Sequence, residues 1–581
     1  MRKTVAALFK KLEKLQKNNK LKQAFQTTRE IIDLLKNAPP APILIKTYTQ
    51  HLRLALITRN TRDIHQTAEE LLVIIDEHEI DDELCINAYF TTARVFLETN
   101  NYTDARELFD AVRQMTDKPK YLRSHLESTI NIAFIDNKSL NKNSAAELLK
   151  NTLNLIEKHP DNEEFRDLQS LANDMLHEIQ NPDTLNRYPD QDQTSLTERQ
   201  LALKAEAYNE LAQFDQTINL LQPVLQNHRP EPENKQKLDR SLALLLPYTS
   251  ALSAAFEHQT ANNIFDHFLP AFPDSVENET GAHFRLARAQ YLYETDNYDS
   301  AIQIFQNAEK FFLNQKDYAA IIMTMLGKAQ RLKTQCNDTA YLDLIRFIDD
   351  TIKNAELHYI KPYRDLLHAH WLYSLQQYDE ASRLLPQPLQ HFENNKKTRT
   401  LISAIALASR LDLKLKPSKK PQFLQHYHPD EFIKSRNMPA LWDYYMITAR
   451  HHENNNRIND ALKAIEEIQK SILPINKHPA ITLNTHLLRY KLIHNTTPNT
   501  NSESNPSNIP APDELAELRK CAERNNLPQH RIGIILYNTR FHTKNNEIPP
   551  LDKAYIKSEL DALTPERRAV IKQIYPQITP L

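Results

Sequence analysis

Two stretches that lie far apart in this chain read almost alike, and that likeness restricts the fold more than any other feature. Glu98 to Phe109 is ETNNYTDARELF and Glu294 to Phe305 is ETDNYDSAIQIF, with six identical positions and three more that agree in kind. Periodicity alone does not produce such a match, so the two are copies of one unit. The clearest copy runs from Ala287 to Phe312. An apolar face carrying Ala289 and Leu292 ends at the polar turn Thr295-Asp296-Asn297, and Tyr298 opens a second segment with Ala301, Phe305 and Ala308 at spacings of four and three. Packed helices must alternate bulk with small residues, so Ala289 and Ala301 let the backbones approach while Tyr298 and Phe305 fill the space beside them. The unit is a helical hairpin. Copies of one hairpin bury their faces by stacking on each other.

Composition sharpens this. A typical chain of 581 residues would hold roughly 40 glycines, and this one has three, Gly281, Gly327 and Gly533. Sheets, dinucleotide folds and phosphate loops depend on glycine for tight turns and close backbone approach, so those classes are excluded and the turns are expected to rely on Asn, Asp and Pro. Lysine plus arginine number 72 against 74 acids, a formal charge of −2, which gives no global electrostatic case for nucleic acid. Cys85, Cys336 and Cys521 are widely separated with no paired spacing, so neither zinc nor a redox motif is indicated and a reducing, cytoplasmic compartment is expected. The apolar run Val5 to Phe9 is too short for a secretory segment, and no window approaches 18 uninterrupted apolar residues.

The unit resembles the tetratricopeptide repeat (TPR), with a small residue and an aromatic on the first helix and Ala-x3-Phe on the second. The first-helix pair corresponds to Ala93 and Phe96, Ala205 and Tyr208, and Ala289 and Leu292. The second-helix pair corresponds to Ala105 and Phe109, Ala261 and Phe265, and Ala301 and Phe305, weakening to Ala381 with Leu385 and Ala461 with Ile465. Departures are the missing first-helix glycine, a convincing closing proline only at Pro273, and hairpin starts about every 40 residues (His258, Tyr298, then Tyr378 and Ile458 two hairpins apart) rather than every 34. The resemblance implies an all-α, right-handed superhelical stack of antiparallel hairpins, a TPR-like α-solenoid.

The expected organisation is TPR-like hairpins over 1–180, a loop over 181–195, a second repeat segment over 196–494, a disordered linker over 495–512 rich in Asn, Ser, Thr and Pro, and a small helical region over 513–581. Prolines interrupt the pattern between Leu415 and Pro429, and Thr564-Pro565-Glu566 reads as an N-cap with proline at the first helical position. Residues 1–22 carry eight basic side chains against Glu13, with Val5, Leu8, Phe9, Leu12 and Leu15 in a helical stripe. That stripe suits either the first helix of the first hairpin or a helix lying on an anionic membrane.

Chemistry is sparse. His368/His370 sit at i, i+2 on opposite helix faces, His426/His428 lie in the proline-broken stretch, and His451/His452 are adjacent, so no metal site forms; no catalytic residue and no cofactor is expected. An arginine followed by histidine, as in helical ribonucleases resembling the HEPN family, occurs at Arg59/His65, Arg364/His370, Arg489/His494 and Arg524/His530. Aromatics at repeat positions read as core, whereas Trp442, Tyr444 and Tyr445 cannot all face inward and leave one as a binding anchor. By analogy with the repeat family, the groove-facing residues lie one position after the small residue and three or four beyond that: Arg94, Glu98, Gln290, Glu294, His370, Tyr373, Arg450 and Glu453. A concave surface of mixed charge implies a non-enzymatic scaffold or adaptor for a protein or peptide partner. The alternatives are a membrane-surface or nucleic-acid adaptor using residues 1–22, and the ribonuclease.

Overall fold

The structure, a computed structural model, describes all residues other than 1, 19, 36–40, 59–63, 79, 99–100, 139–141, 160–161, 181–197, 227–234, 272–278, 295–297, 316, 356, 418, 477, 497–509, 543–546 and 581. The loop expected at 181–195, most of the linker, the turn Thr295-Asp296-Asn297, Pro273 and Arg59 therefore lie outside the described residues. Among the described residues every regular element is helical, and helices adjacent in sequence pack as pairs, as Asp82–Glu98 does with Tyr102–Met115 and Met438–Asn454 with Ile458–Ser471.

The expected register holds in the packing. Ala93, Ala105, Ala205, Ala261, Ala289, Ala301, Ala381 and Ala461 are all fully buried, and Phe96, Phe109, Phe265, Phe305 and Ile465 are buried beside them. Bulk against small residues lets the helices close: Phe265 meets Tyr291 of the following hairpin at 5.3 Å between ring centroids.

The turns do not follow the expectation of Asn, Asp and Pro. Ala212, Phe256, Cys336, Gln376, Lys396, Arg436, Asn456 and Asn526 all take positive φ, each two residues before the next helix begins, and only two of these eight are Asn. Each ends its helix with paired reverse hydrogen bonds; Gln376 N donates to Tyr373 O at 3.1 Å and Gln377 N to Leu372 O at 3.0 Å. The next residue's carbonyl then accepts the first bond of the following helix, as Gln377 O does from Ala381 N at 3.0 Å. This two-residue connection serves where glycine would, at about 1 kcal/mol of left-handed strain per turn. The glycines are spent elsewhere, inside helices. At Gly533 an added Cβ would lie 2.3 Å from the Tyr575 hydroxyl, so this position needs glycine for close packing.

Second helices begin at His258, Tyr298, Asp338, Tyr378 and Ile458, so Asp338 supplies one of the two members missing from the 40-residue series; the other falls in the proline-broken stretch, where the next helix begins only at Phe423. Its helix hides from the repeat pattern because Tyr341 stands where Ala301 stands in its own copy. That ring is fully buried and stacks on Trp371 at 5.0 Å.

The described residues form two compact units. One comprises Met1–Asp183, Lys310–Ile321 and Lys353–Tyr359; the other comprises Thr184–Glu309, Ile322–Ile352 and Ile360–Leu581. In the first, helix Arg2–Lys17 packs on helix Leu21–Leu35, with Leu12 in the core and Val5, Leu8, Phe9 and Leu15 against it. The apolar stripe of residues 1–22 thus packs into the hairpin, and Lys10, Lys11, Lys14, Lys17, Lys20 and Lys22 are exposed.

In the second unit the chain after the linker forms helices Pro512–Arg524, Pro528–His542, Pro550–Asp561 and Pro565–Ile574. The last begins as expected, with the Thr564 hydroxyl accepting from Arg567 N at 3.3 Å. Leu515, Leu518 and Ala522 join Leu483 and Tyr490 of helix Pro479–Thr496, while Ile532, Ile535, Leu560 and Ile571 enclose Cys336. Arg567, 1% exposed, ties this region down: Nη2 and Nε donate to the Asp338 carboxylate at 2.7 and 2.9 Å, and Nη1 donates to the Ser374 carbonyl and hydroxyl at 3.0 Å.

Candidate functional site

The first helices of the second unit carry small residues at one interval. Ala289, Ala329, Ala369, Ser409 and Ala449 are each 40 residues from the last and all fully buried. Because a helix turns 100° per residue, the side chain after each small residue, and those three and four beyond it, emerge together on the neighbouring face. In helices Tyr318–Thr334, Lys361–Ser374, Thr398–Leu415 and Met438–Asn454 those positions bring Lys333, His370, Tyr373, Arg410, Arg450 and Glu453 onto the wall of one cavity of about 750 Å³. His478, Asn484 and Lys491 extend the wall, and Gln529, His530 and Arg567 close it from the C-terminal helices. A second cavity of about 880 Å³ shares Tyr373, Lys414, Arg450, Lys491 and His530 with the first.

Four of the eight groove candidates, His370, Tyr373, Arg450 and Glu453, therefore share one space. Arg94 and Glu98 are exposed on helix Asp82–Glu98 of the first unit, and Gln290 is exposed on helix Glu279–Glu294. The Glu294 side chain lies outside the described residues. Lys333, Arg410, Lys414, His478 and His530 were not among the candidates. The 40-residue interval from Ala289 would have found the first three, at Ala329 plus four and at Ser409 plus one and plus five.

Charge is unusually confined here. Glu453 accepts from Arg450 Nη1 at 2.9 Å and lies 2.7 Å from Lys491 Nζ; burial pushes its pKa up, but these two cations outweigh burial and leave it below the ordinary carboxylate value. Arg410 pairs with Asp443 and lies over the Trp442 ring at 5.5 Å, while the Trp442 indole donates to the Thr485 hydroxyl at 3.0 Å. The paired Trp442 is the member of the aromatic trio that reaches the cavity. Burial, reinforced by Arg410 and Arg567, pulls the Lys333 ammonium down to about 7, and burial also lowers Lys414. Burial holds His370 well below its usual value, with Lys333 and Arg410 adding to the effect, and holds His530 and His478 at about 4. The three imidazoles are therefore neutral near pH 7.

Arg364 does not converge with His370. It ion-pairs with Asp349 and donates to Asp365 Oδ1 at 2.8 Å. Arg489 lies 3.8 Å from Glu514, and Arg524 is exposed. Among the described residues no group of three His, Cys, Asp or Glu side chains is placed to hold a metal ion, and no helix is long and apolar enough to cross a membrane.

The hairpins, their register and their two-residue turns settle the architecture. The fold is an all-α stack of TPR-like helical hairpins. Searches among family models and among curated proteins find no match. Among solved structures, the chain is similar to the APC/C hetero-tetramer Cut9-Hcn1 at 11% identity, covering 94% of this chain and 95% of that one with a TM-score of 0.38. It is also similar to yeast Tom70 at 14% identity, covering 92% and 96% with a TM-score of 0.26, and to a Rap protein complexed with Competence and Sporulation Factor at 12% identity, covering 72% and 99% with a TM-score of 0.25. At such scores the likeness does not extend to function.

Proposed function

We propose that this protein is a non-enzymatic, cytoplasmic interaction scaffold that binds a peptide or helix of a protein partner through the first-helix faces of its hairpins. The observation that carries this reading is the recurrence of outward positions after the buried small residues, which brings His370, Tyr373, Arg450 and Glu453 from separate hairpins to one cavity wall. Tyr373 and Arg450 suit such contacts, because aromatic and guanidinium groups dominate binding energy where they are partly desolvated. Truncating either is expected to weaken the partner about tenfold or more, since a central contact is worth about 2 kcal/mol. The test isolates a partner on the immobilised full-length chain and compares its affinity for wild type, Tyr373→Ala, Arg450→Ala, Arg94→Ala and the exposed control Lys310→Ala. Equal affinities across the set would remove the reading. A ribonuclease activity lost in His370→Ala would replace it with the enzymatic one.

A further inference from the structure

Inside the 750 Å³ cavity the cations outnumber the carboxylates. Lys333, Arg410, Lys414, Arg450, Lys491 and Arg567 line it, and among the described lining residues Glu453 is the single carboxylate. Counting Asp443 and Asp338, which pair with Arg410 and Arg567, three carboxylates face six cations, so two positive charges remain in excess when Lys333 is neutral and three once it takes a proton. Glu453 is already divided between Arg450 and Lys491. The side chains of Lys333 and Lys414 have no ion-pair or hydrogen-bond partner among the described residues.

Gathering like charges in a partly desolvated space is unfavourable unless something of opposite sign enters. A phosphoryl group carries about 1.5–2 negative charges near pH 7, so two of them on one molecule match the excess. The donor set fits as well: a guanidinium presents a planar fork to phosphoryl oxygens, and ammonium groups act as point charges beside it. Space is adequate, because small-molecule sites span about 300–1,000 Å³. The same cavity is also lined by Tyr363, Leu366, Trp442 and Met446, which offer apolar surface to the rest of a ligand.

We propose that this cavity binds a small organic molecule bearing at least two phosphoryl groups, with Lys333, Arg410 and Lys414 holding the phosphoryl oxygens and Tyr363, Trp442 and Met446 packing against its apolar part. The inference goes beyond the scaffold reading and does not depend on it, because the ligand is bound by the chain alone.

The test is titration calorimetry on the full-length chain with two probes, pyrophosphate and ADP, at pH 8 in buffers of differing ionisation enthalpy. Both are expected to bind, ADP more tightly because its base reaches the apolar wall. Lys333, faced by His370, Arg410 and Arg567 and mostly neutral at pH 8, is expected to recover a proton as the anion arrives, so the measured heat varies with the buffer. Lys333→Gln should lower affinity at least tenfold and remove the buffer dependence of ADP binding, ADP being fully ionised at pH 8; Lys414→Gln should lower affinity while keeping it, and Lys310→Gln should change nothing. Circular dichroism of each variant reports folding, and either lysine variant alone carries the test if the other does not fold. No binding of either probe at millimolar concentration, or binding indifferent to both cavity lysines, overturns the proposal. ADP binding no more tightly than pyrophosphate overturns the role of the apolar wall. Partner capture is measured without either probe, so the scaffold reading stands or falls separately.

Discussion

Replacing Arg567 with Met should release the C-terminal helix far more than its single position suggests. The guanidinium is 1% exposed and donates to the Asp338 carboxylate, the Ser374 carbonyl and the Ser374 hydroxyl. Asp338 is itself 3% exposed and keeps only the Trp371 indole at 2.8 Å and the Thr564 hydroxyl at 3.3 Å once the arginine is gone. Removing one member of a buried pair leaves the other as an uncompensated charge, which costs about 3–5 kcal/mol. Asp338→Asn in the Arg567→Met background should recover most of that, because the amide is neutral and still accepts from the indole. The coupling in such a cycle should therefore reach at least about 2 kcal/mol. A chain of two units need not unfold in one step, so the suitable assay is native-state hydrogen exchange at the amides of helix Pro565–Ile574, which reads local opening. If the single variant loses less than about 1 kcal/mol of protection, or the double variant is no more protected than the single, the helix is held by apolar packing and the ion pair is incidental.

Three further outcomes are expected. Ala301→Leu should destabilise by about 1–3 kcal/mol through overpacking at a fully buried helix contact; an unchanged urea midpoint would place Ala301 outside the core. Lys396→Gly should stabilise by about 0.5–1 kcal/mol, since the exposed lysine sits at φ 53° and relief of left-handed strain exceeds the added unfolded-state entropy; a lower melting temperature would contradict this. His51 lies 4.2 Å from the Phe25 ring centroid with Nδ1 2.8 Å from the Thr28 hydroxyl, and burial, then Arg29, hold its pKa down at about 4 against 6.5. The unfolded chain takes the proton first, so this stability is complete above pH 6.5 and falls as pH drops toward 4, by up to about 1.4 kcal/mol per unit. Amide protection in helix Ala41–Thr58 should decline between pH 7 and pH 5 in wild type and less steeply in His51→Gln.

The hairpins with the strongest small-and-aromatic signature were legible at once, as Ala105 with Phe109 and Ala301 with Phe305 show. The hairpin at Asp338 was legible only as an interval between Tyr298 and Tyr378. Its helix fills the small-residue position with Tyr341, which a local pattern cannot distinguish from a break in the series. The turns were also obscured, because paired reverse hydrogen bonds let Phe256, Gln376 or Lys396 take a conformation usually read from glycine.

By itself the sequence determined the all-α class, the hairpin unit and the buried face of the helices that carry the small-and-aromatic signature, because contacts between neighbouring helices depend on residues three and four apart and leave a local periodic record. Analogy with the repeat family added His370 with Tyr373 on one helix and Arg450 with Glu453 on the matching face of another. Only the tertiary structure decided that these residues enclose a cavity with Lys333, Arg410 and Lys414, and that Arg567 reaches Asp338, 229 residues earlier in the chain. Such encounters depend on how many hairpins intervene and how the chain returns after the linker. A buried charge finds its partner through that accumulated geometry, and no spacing along the sequence encodes it.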